Sequence, residues 1–197
     1  MPDMPSPFLY FAGDRLSIAE LASARLDGDL VEIGDAYMPA DAVETRELRA
    51  ASLTAYVSDA LAVIRQSAAW VHGALAEPPT RHTVQRRAGG ARGSPPVDLR
   101  LVCREQPVSS DDLECIGGVW VSTPARTLAD LVRLRPDGED VDRAIDAMLA
   151  AHPGLATDAL EVLTRTRGLR FKRPAMTELR RRARSGSPPD GVGIRTR

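Results

Sequence analysis

The chain has 197 residues, of which 43% are hydrophobic and 4% aromatic, with 26 Lys and Arg against 27 Asp and Glu and a net charge of −1. This composition fits one ordinary domain with a small appendage, whose core is built mainly from Leu, Val and Ala. The opening residues are polar and proline-rich, unlike a signal peptide, and no apolar run is long enough for a bilayer. We therefore expect a cytoplasmic protein without a membrane partner.

The first elements predicted in chain order are a helix and a tight hairpin. Ser17 and Glu20 have capping-box spacing, and Asp27-Gly28-Asp29 ends the helix that follows them. Residues 30–33 and 36–38 then alternate around Gly34-Asp35, which predicts a β-hairpin. A short strand is expected at 8–11. A helix that starts near Asp41 and runs to about residue 56 is predicted to link this element to the rest of the chain.

The middle of the chain predicts a small sheet. Residues 61–64 form a candidate strand, and Ser67 is expected to cap a small-residue helix that stops at Gly73. Residues 81–87 and 97–104 alternate as neighbouring strands, interpreted as a hairpin with a flexible tip between them. Residues 111–116 pair through Gly117-Gly118 with 119–121.

The last third predicts helices. Thr123 or Ser122 caps a helix over 124–134 that begins at Pro124, and Arg126 and Asp130 are four residues apart, so they can pair. Further helices are expected over 139–151, 158–167 and 174–184, followed by a disordered tail at 185–197. The predicted class is α+β, a few-stranded sheet covered by helices, preceded by a small helix-and-hairpin element.

Signatures of enzymes and metal sites are absent from the sequence. Cys103 and Cys115 lack the paired spacing of a zinc site, and a disulfide between them is not expected in the cytosol. Gly89-Gly90 lacks the Lys-Ser/Thr of a phosphate-binding loop, and no Gly-x-Ser-x-Gly motif occurs. We expect no catalytic activity, no metal and no cofactor.

Two strand-to-helix junctions, Ser67–Gly73 and Ser122–Leu131, resemble the AbiEi antitoxins of type IV toxin–antitoxin systems in their actinobacterial form. The resemblance implies a winged helix-turn-helix whose last helix and wing lie at 17–38, truncated because few residues precede it. It divides the chain into a winged-helix element (1–40), a linking helix (41–58), an AbiEi-like domain (59–184) and a tail (185–197). The motif positions are Ser67, Trp70, His72, Gly73, Thr123, Pro124, Arg126 and Asp130.

Several motif side chains allow two interpretations. His72 can be an acid–base group or ligand, but a packing or capping histidine is favoured because no second ligand lies at metal spacing. Arg126 and Asp130 can bind phosphate, although a structural ion pair is favoured. Trp70 and Trp120 can stack on bases or belong to the core, and their apolar neighbours favour the core.

Charge is distributed unevenly along the chain. Residues 1–45 carry nine carboxylates and two arginines, residues 81–104 carry six arginines and one aspartate, and residues 165–184 carry nine basic residues and one glutamate. Clustered arginine is typical of a polyanion-binding surface. A solvated face explains residues 81–104 equally well, whereas the dense arginines of 165–184 favour binding. The use of arginine instead of lysine along the chain is better explained by a GC-rich genome than by phosphate recognition. The residues predicted to clamp DNA phosphates are Arg81, Arg86, Arg87, Arg92, Arg180, Arg181, Arg182 and Arg184.

The resemblance implies an autorepressor that binds DNA and neutralises a nucleotidyltransferase-type toxin encoded nearby, without needing to contact it tightly. The acidic amino-terminal element would be repelled by phosphate, so we expect it to pack against the main domain or a partner. This feature keeps two alternatives open, which are a protein-interaction module that never touches DNA and an orphan regulator.

Overall fold

The computed structural model describes residues 8–89, 98–135 and 141–185. Within these ranges the chain has the predicted α+β class, with seven α-helices, a two-stranded sheet and a five-stranded sheet. In chain order the elements are α1 (Ile18–Leu26), β1 (Leu30–Ile33), β2 (Ala36–Pro39), α2 (Arg46–Ala51), β3 (Leu61–Val63), α3 (Arg65–Val71), β4 (His82–Arg87), β5 (Leu101–Val108), β6 (Leu113–Ile116), β7 (Val119–Ser122), α4 (Pro124–Leu134), α5 (Asp142–Ala151), α6 (Leu155–Arg165) and α7 (Lys172–Ser185).

The amino-terminal helix and hairpin form as predicted. The Ser17 side chain accepts a hydrogen bond from the Glu20 N–H at 3.3 Å, and the Glu20 carboxylate accepts from the Ser17 N–H at 2.8 Å, which completes the capping box. β1 and β2 pair antiparallel around Gly34-Asp35. The strand predicted at 8–11 is reduced to isolated bridges, one of which joins Tyr10 to Tyr37.

The five-stranded sheet has the order β5-β4-β3-β7-β6. β3 lies at its centre, antiparallel to β4 and parallel to β7, with Ala62 beside Trp120. β6 and β7 form the predicted hairpin through Gly117-Gly118. Because β3 and β7 are parallel, α3 and α4 leave the sheet from the same end, where they pack against each other.

The predicted hairpin of residues 81–87 and 97–104 is wrong in direction and in part of its range. β4 and β5 pair in parallel, with His82 beside Leu101 and Val84 beside Cys103. The alternating pattern identifies the two strands but not their relative direction, and the connection of residues 88–100 is long enough for a parallel crossover. β5 starts at Leu101 because the Asp98 carboxylate accepts the Arg100 N–H at 2.8 Å, which makes a turn instead of a strand.

Several predicted helices also have different ends. α6 covers Leu155–Arg165 instead of 158–167, α7 begins at Lys172 instead of 174, and α2 and α3 differ as well. α2 begins after Thr45, which caps it, and ends at Ala51, since the hydroxyls of Ser52 and Thr54 bond to backbone carbonyls and close the helix early. α3 begins at Arg65, so Ser67 lies within the helix and does not cap it. The Ser67 hydroxyl accepts the Thr83 N–H at 2.9 Å and fixes α3 to β4.

Two hydrophobic clusters account for most of the interior. The first joins the sheet, α2, most of α3 and the amino-terminal hairpin, and includes Ile33, Met38, Val63 and Trp70. The second, the helical cluster, joins α4, α5, α6 and α7 with Ala69 of α3. α3 therefore contributes to both clusters and connects the sheet layer to the helical layer.

Candidate nucleic-acid interface

The clearest basic surface of the molecule is the outer face of α7. This helix is held by Ala175 and Leu179, which are buried in the helical cluster against α4 and α6. Three arginines, Arg173, Arg180 and Arg184, are exposed on the opposite face, at spacings of seven and four residues, which place them on one side of a helix. The face extends along a helix about 21 Å long.

Arg181 and Arg182 have partners on the protein itself. Both guanidinium groups bond to Glu178, at 2.8 and 2.7 Å, and Arg182 also reaches Asp146 at 2.5 Å. The hydrogen bond from Arg181, with that from Arg182, lowers the pKa of Glu178 to about 2. Within the described ranges, no ion pair engages Arg180 or Arg184. Of the four arginines predicted on α7, two are therefore paired with carboxylates of the protein and two are not.

The predicted arginines of β4 take part in the fold. The Arg81 guanidinium donates to the carbonyls of Leu99 and Leu101 at 2.8 Å each and so fixes the start of β5. Arg87 bonds to Asp59 at 2.6 Å and stacks over Trp120, with 4.4 Å between the guanidinium carbon and the ring centre. Arg86 is half-buried, and Arg92 lies outside the described residues.

The two arginine sets belong to different layers. β4 contributes Val84 to the cluster around the sheet, whereas α7 contributes Ala175 and Leu179 to the helical cluster. α7 packs against α6 and α4, and β4 packs against β3, β5 and α3. We therefore consider α7 by itself as the primary candidate interface.

The motif residues lock the two strand-to-helix junctions together. Thr123 caps α4 by accepting the Arg126 N–H at 3.3 Å, and Pro124 occupies the first helical position, as predicted. His72 ends α3, and its Nε2 lies 2.8 Å from the Ser122 carbonyl oxygen. Burial of this ring, opposed in part by its bond to Ser122, lowers the pKa of His72. The packing interpretation of His72 is confirmed.

Trp70 is 1% exposed and belongs to the first cluster, which confirms its assignment to the core. Trp120 is half-buried, packs beside Ala62 and Leu113, and donates its indole N–H to Asp59 at 2.7 Å. Gly73 closes α3 through a backbone bond from its N–H to the Trp70 carbonyl at 2.9 Å. Both cysteines are free thiols.

Arg126 is the centre of a largely buried ionic network. Arg126, 6% exposed, donates to Asp130 at 2.7 Å and to Asp112 at 2.6 Å. Arg133 also bonds to Asp130 at 2.7 Å, and Arg165 bonds to Asp112. Burial disfavours the charge on Arg126, but Asp130 and Asp112 outweigh this effect and raise the pKa of Arg126. The predicted Arg126–Asp130 pair is confirmed. The sequence did not predict Asp112 and Arg165 as members of this network, because they lie 14 and 39 residues from Arg126 and no local pattern links them to it.

The acidic amino-terminal hairpin is packed against the main body. A Cβ atom at Gly34 would lie 2.7 Å from the Ser52 hydroxyl and 3.3 Å from the Trp70 ring, so the turn fits tightly against α2 and α3. The next residue, Asp35, pairs with Arg100 at 3.3 Å. The turn of this hairpin therefore contacts protein on its inner side. This agrees with the expectation that the element packs on the main domain.

Comparison with known proteins places most of this architecture in one family. The family model described as the AbiEi antitoxin C-terminal domain matches residues 61–175, which is more than half of the chain. The match runs from β3 to the start of α7 and contains both strand-to-helix junctions and the Arg126 network. No curated protein matches the chain. In the part of the chain that the structure describes, none of the helices has the length and hydrophobicity that crossing a membrane requires.

Proposed function

Because the chain belongs to the AbiEi antitoxin family, we propose that it is an antitoxin that represses its own transcription by binding DNA and counteracts a nucleotidyltransferase-type toxin encoded nearby. The observation that carries the DNA-binding part is the exposed α7 face of Arg173, Arg180 and Arg184, none of which has an ion pair within the described residues. α7 itself carries six basic side chains and one glutamate, so the surface around it has a positive field.

The proposed contacts are to phosphates. Guanidinium groups on one exposed helix face give affinity through the backbone of the duplex and little choice of base sequence. Arg180 and Arg184 are the principal contacts, and Arg181, which is paired with Glu178, remains a predicted secondary contact. Arg182 contributes through Glu178 and Asp146, by fixing α7 on α5, more than through direct contact. Arg81, Arg86, Arg87 and Arg92 remain predicted secondary contacts.

The test is the salt dependence of binding to a duplex from the chain's own upstream region, measured by fluorescence anisotropy. Replacing Arg180 and Arg184 with Ala should weaken binding and reduce the slope of log K against log salt by about two units, since each phosphate contact contributes about 0.9. A matched control replaces Arg15 and Arg143, two exposed arginines outside α7, and should leave the slope unchanged. Equal slopes for both double variants would remove α7 as the interface.

Neutralisation of the toxin is tested separately. Co-expression of the chain with the neighbouring nucleotidyltransferase-like gene should restore growth of a host that the toxin alone arrests. Since tight contact is not required in this proposal, size-exclusion chromatography of the two proteins together should give two separate peaks. A persistent arrest in the presence of well-expressed chain contradicts the antitoxin proposal.

A second candidate, a protein-interaction module, is favoured by one observation. Ile18 and Leu26 on α1 are 72% and 83% exposed, in a segment that carries nine carboxylates and two arginines. Apolar side chains surrounded by acidic ones suit a partner with a basic, apolar surface. A stable complex with the operon neighbour, abolished by Ile18→Ala with Leu26→Ala, would select this candidate.

A further inference from the structure

A charged cleft opens where the end of α6, the start of α4 and the turn before β6 meet. Its volume is about 470 Å³, which is within the range of small-ligand sites. Three of its lining residues are arginines and two are aspartates. The lining residues are Ser109, Asp111, Asp112, Arg126, Arg165, Thr166, Arg167 and Leu169.

The floor of the cleft is a fixed, charge-balanced platform. Arg126 is buried and bonds to Asp112 and Asp130, while Arg133 provides a second positive charge for Asp130. Two arginines thus face two aspartates in the buried layer. Both Asp112 oxygens accept guanidinium hydrogen bonds, so the side chains of this layer are held in place. Binding of a ligand would therefore depend on the residues at the rim of the cleft.

The rim carries an excess of positive charge. The Arg165 side chain is 48% exposed and bonds to Asp112 through one nitrogen, Nη2. Arg167 is exposed and has no ion-pair partner among the described residues. The cleft is also lined by Asp111 and by Ser109, whose hydroxyl does not cap the turn that follows it. The unpaired Arg167 and the half-exposed Arg165, which is paired with Asp112, therefore share the cleft with one further carboxylate and one hydroxyl.

We propose that this cleft is a binding site for a phosphate monoester. Arg165 and Arg167 would donate to the phosphate oxygens, because forked guanidinium groups match phosphate geometry and form strong charge-assisted bonds. Asp111 and Ser109 would bond to hydroxyl groups on the organic part of the ligand. The ligand is either a free nucleotide or the 5′-phosphate end of a nucleic acid strand. This site is separate from the α7 face, so it does not depend on the DNA-binding proposal.

Isothermal titration calorimetry with adenosine 5′-monophosphate, inorganic phosphate and adenosine tests the proposal. The monophosphate should bind with micromolar to low millimolar affinity, phosphate should compete with it, and adenosine should not bind measurably. Replacing Arg167 with Gln should weaken binding about tenfold or more, since it removes a charge-assisted contact. The matched control is Arg143→Gln, which removes one exposed arginine from α5 and should bind as the wild type does.

A short single-stranded oligonucleotide with and without a 5′-phosphate separates the two sources of the ligand. Tighter binding of the phosphorylated strand than of the mononucleotide assigns the site to a strand end, and equal or weaker binding assigns it to a free nucleotide. The Arg180→Ala and Arg184→Ala variant should keep nucleotide binding even where it loses duplex binding. Absence of binding to the wild type, or unchanged binding to Arg167→Gln, would overturn the proposal.

Discussion

Arg126 connects α4 to the turn before β6 through buried ion pairs. Its guanidinium lies in a site that is 7% exposed, and its two carboxylate partners, Asp112 and Asp130, are 4% and 6% exposed. The Coulombic attraction of such a group is offset in large part by desolvation, so the network adds little net stability over an apolar core. The network instead destabilises any arrangement in which one of its charged side chains stays buried without its partner.

Replacing Arg126 with Met should therefore reduce the free energy of unfolding by about 3 kcal/mol, because Asp112 and Asp130 each lose a partner while staying buried. Urea denaturation followed by tryptophan fluorescence measures this loss. The matched control is Arg25→Ala, which breaks the exposed pair with Glu32 and should cost less than about 1 kcal/mol. Similar losses for the two variants would mean that the buried network is dispensable.

The buried histidines predict an acid-sensitive fold. Burial lowers the pKa of His82, which lies beside Trp70 and Tyr56, and burial also lowers the pKa of His72. The pKa of each histidine is about 6.5 in the unfolded chain and lower in the folded protein. Below pH 6.5 the unfolded chain therefore binds more protons than the folded protein, so the free energy of unfolding falls as the pH drops through that value. The contribution is fully present above pH 6.5 and is lost progressively until the pH reaches the folded-state pKa.

His82→Leu should flatten this dependence. Between pH 7.5 and 5, its free energy of unfolding should fall less than that of the wild type, because one of the two lowered groups no longer titrates. If His82→Leu follows the wild-type curve over the whole range, His82 does not contribute to the acid sensitivity.

At the scale of single elements, the docking of the amino-terminal hairpin depends on Gly34. Its φ of +57° favours glycine, and a Cβ there would lie 2.7 Å from the Ser52 hydroxyl. Gly28 has a similarly positive φ of +85°, but no atom lies within 4 Å of its would-be Cβ. Alanine at Gly28 would therefore add backbone strain only, whereas alanine at Gly34 would add backbone strain and steric crowding.

Gly34→Ala should destabilise the protein by about 1–3 kcal/mol more than Gly28→Ala, because it adds overpacking to the same backbone strain. Thermal and urea denaturation of both variants give the difference. The Trp70 emission should also shift in Gly34→Ala alone, since the ring lies 3.3 Å from the added carbon. Equal costs would show that the hairpin turn has room to move away from α2 and α3.

Local signals were enough to predict elements whose ends are set by neighbouring residues. The Ser17–Glu20 capping box, the Thr123-Pro124 start of α4 and the Gly117-Gly118 hairpin are all confirmed. The direction of β5 was not predictable in this way, since alternation is the same in both orientations. Ser67 was assigned to a cap because serine favours that position, but it bonds to β4, which the sequence does not reveal.

At the scale of the whole molecule, the sequence predicted the charge asymmetry but not its arrangement in layers. The −7 of residues 1–45 and the +8 of residues 165–184 follow from composition alone. That α7 belongs to the helical cluster, and β4 to the cluster around the sheet, depends on contacts between residues far apart in the chain. The sequence alone therefore grouped the arginines near β4 and those of α7 as one predicted basic surface, although the two sets lie in different layers of the structure.

The same long-range packing bears on the predicted boundary at residue 40. Leu9, Ile33 and Met38 are buried in one cluster with Val63 and Trp70, so the hydrophobic core crosses from the amino-terminal element into the family domain. Removing residues 1–40 would expose part of this cluster to water, at a cost of roughly 25 cal/mol for each Å² of apolar surface. The family match begins at residue 61, but folding of this chain should require what precedes it.

A chain that starts at Asp41 should therefore unfold at lower urea concentration than the full chain, with a smaller m-value and a broad transition. Near-ultraviolet circular dichroism should show that the environment of Trp70 is less ordered. A full-length chain with Ile18→Ala and Leu26→Ala is the appropriate control, because it alters the same element only at exposed positions and should unfold like the wild type. If the shortened chain unfolds sharply at the wild-type midpoint, the amino-terminal element is an appendage and the boundary at 40 separates independent units.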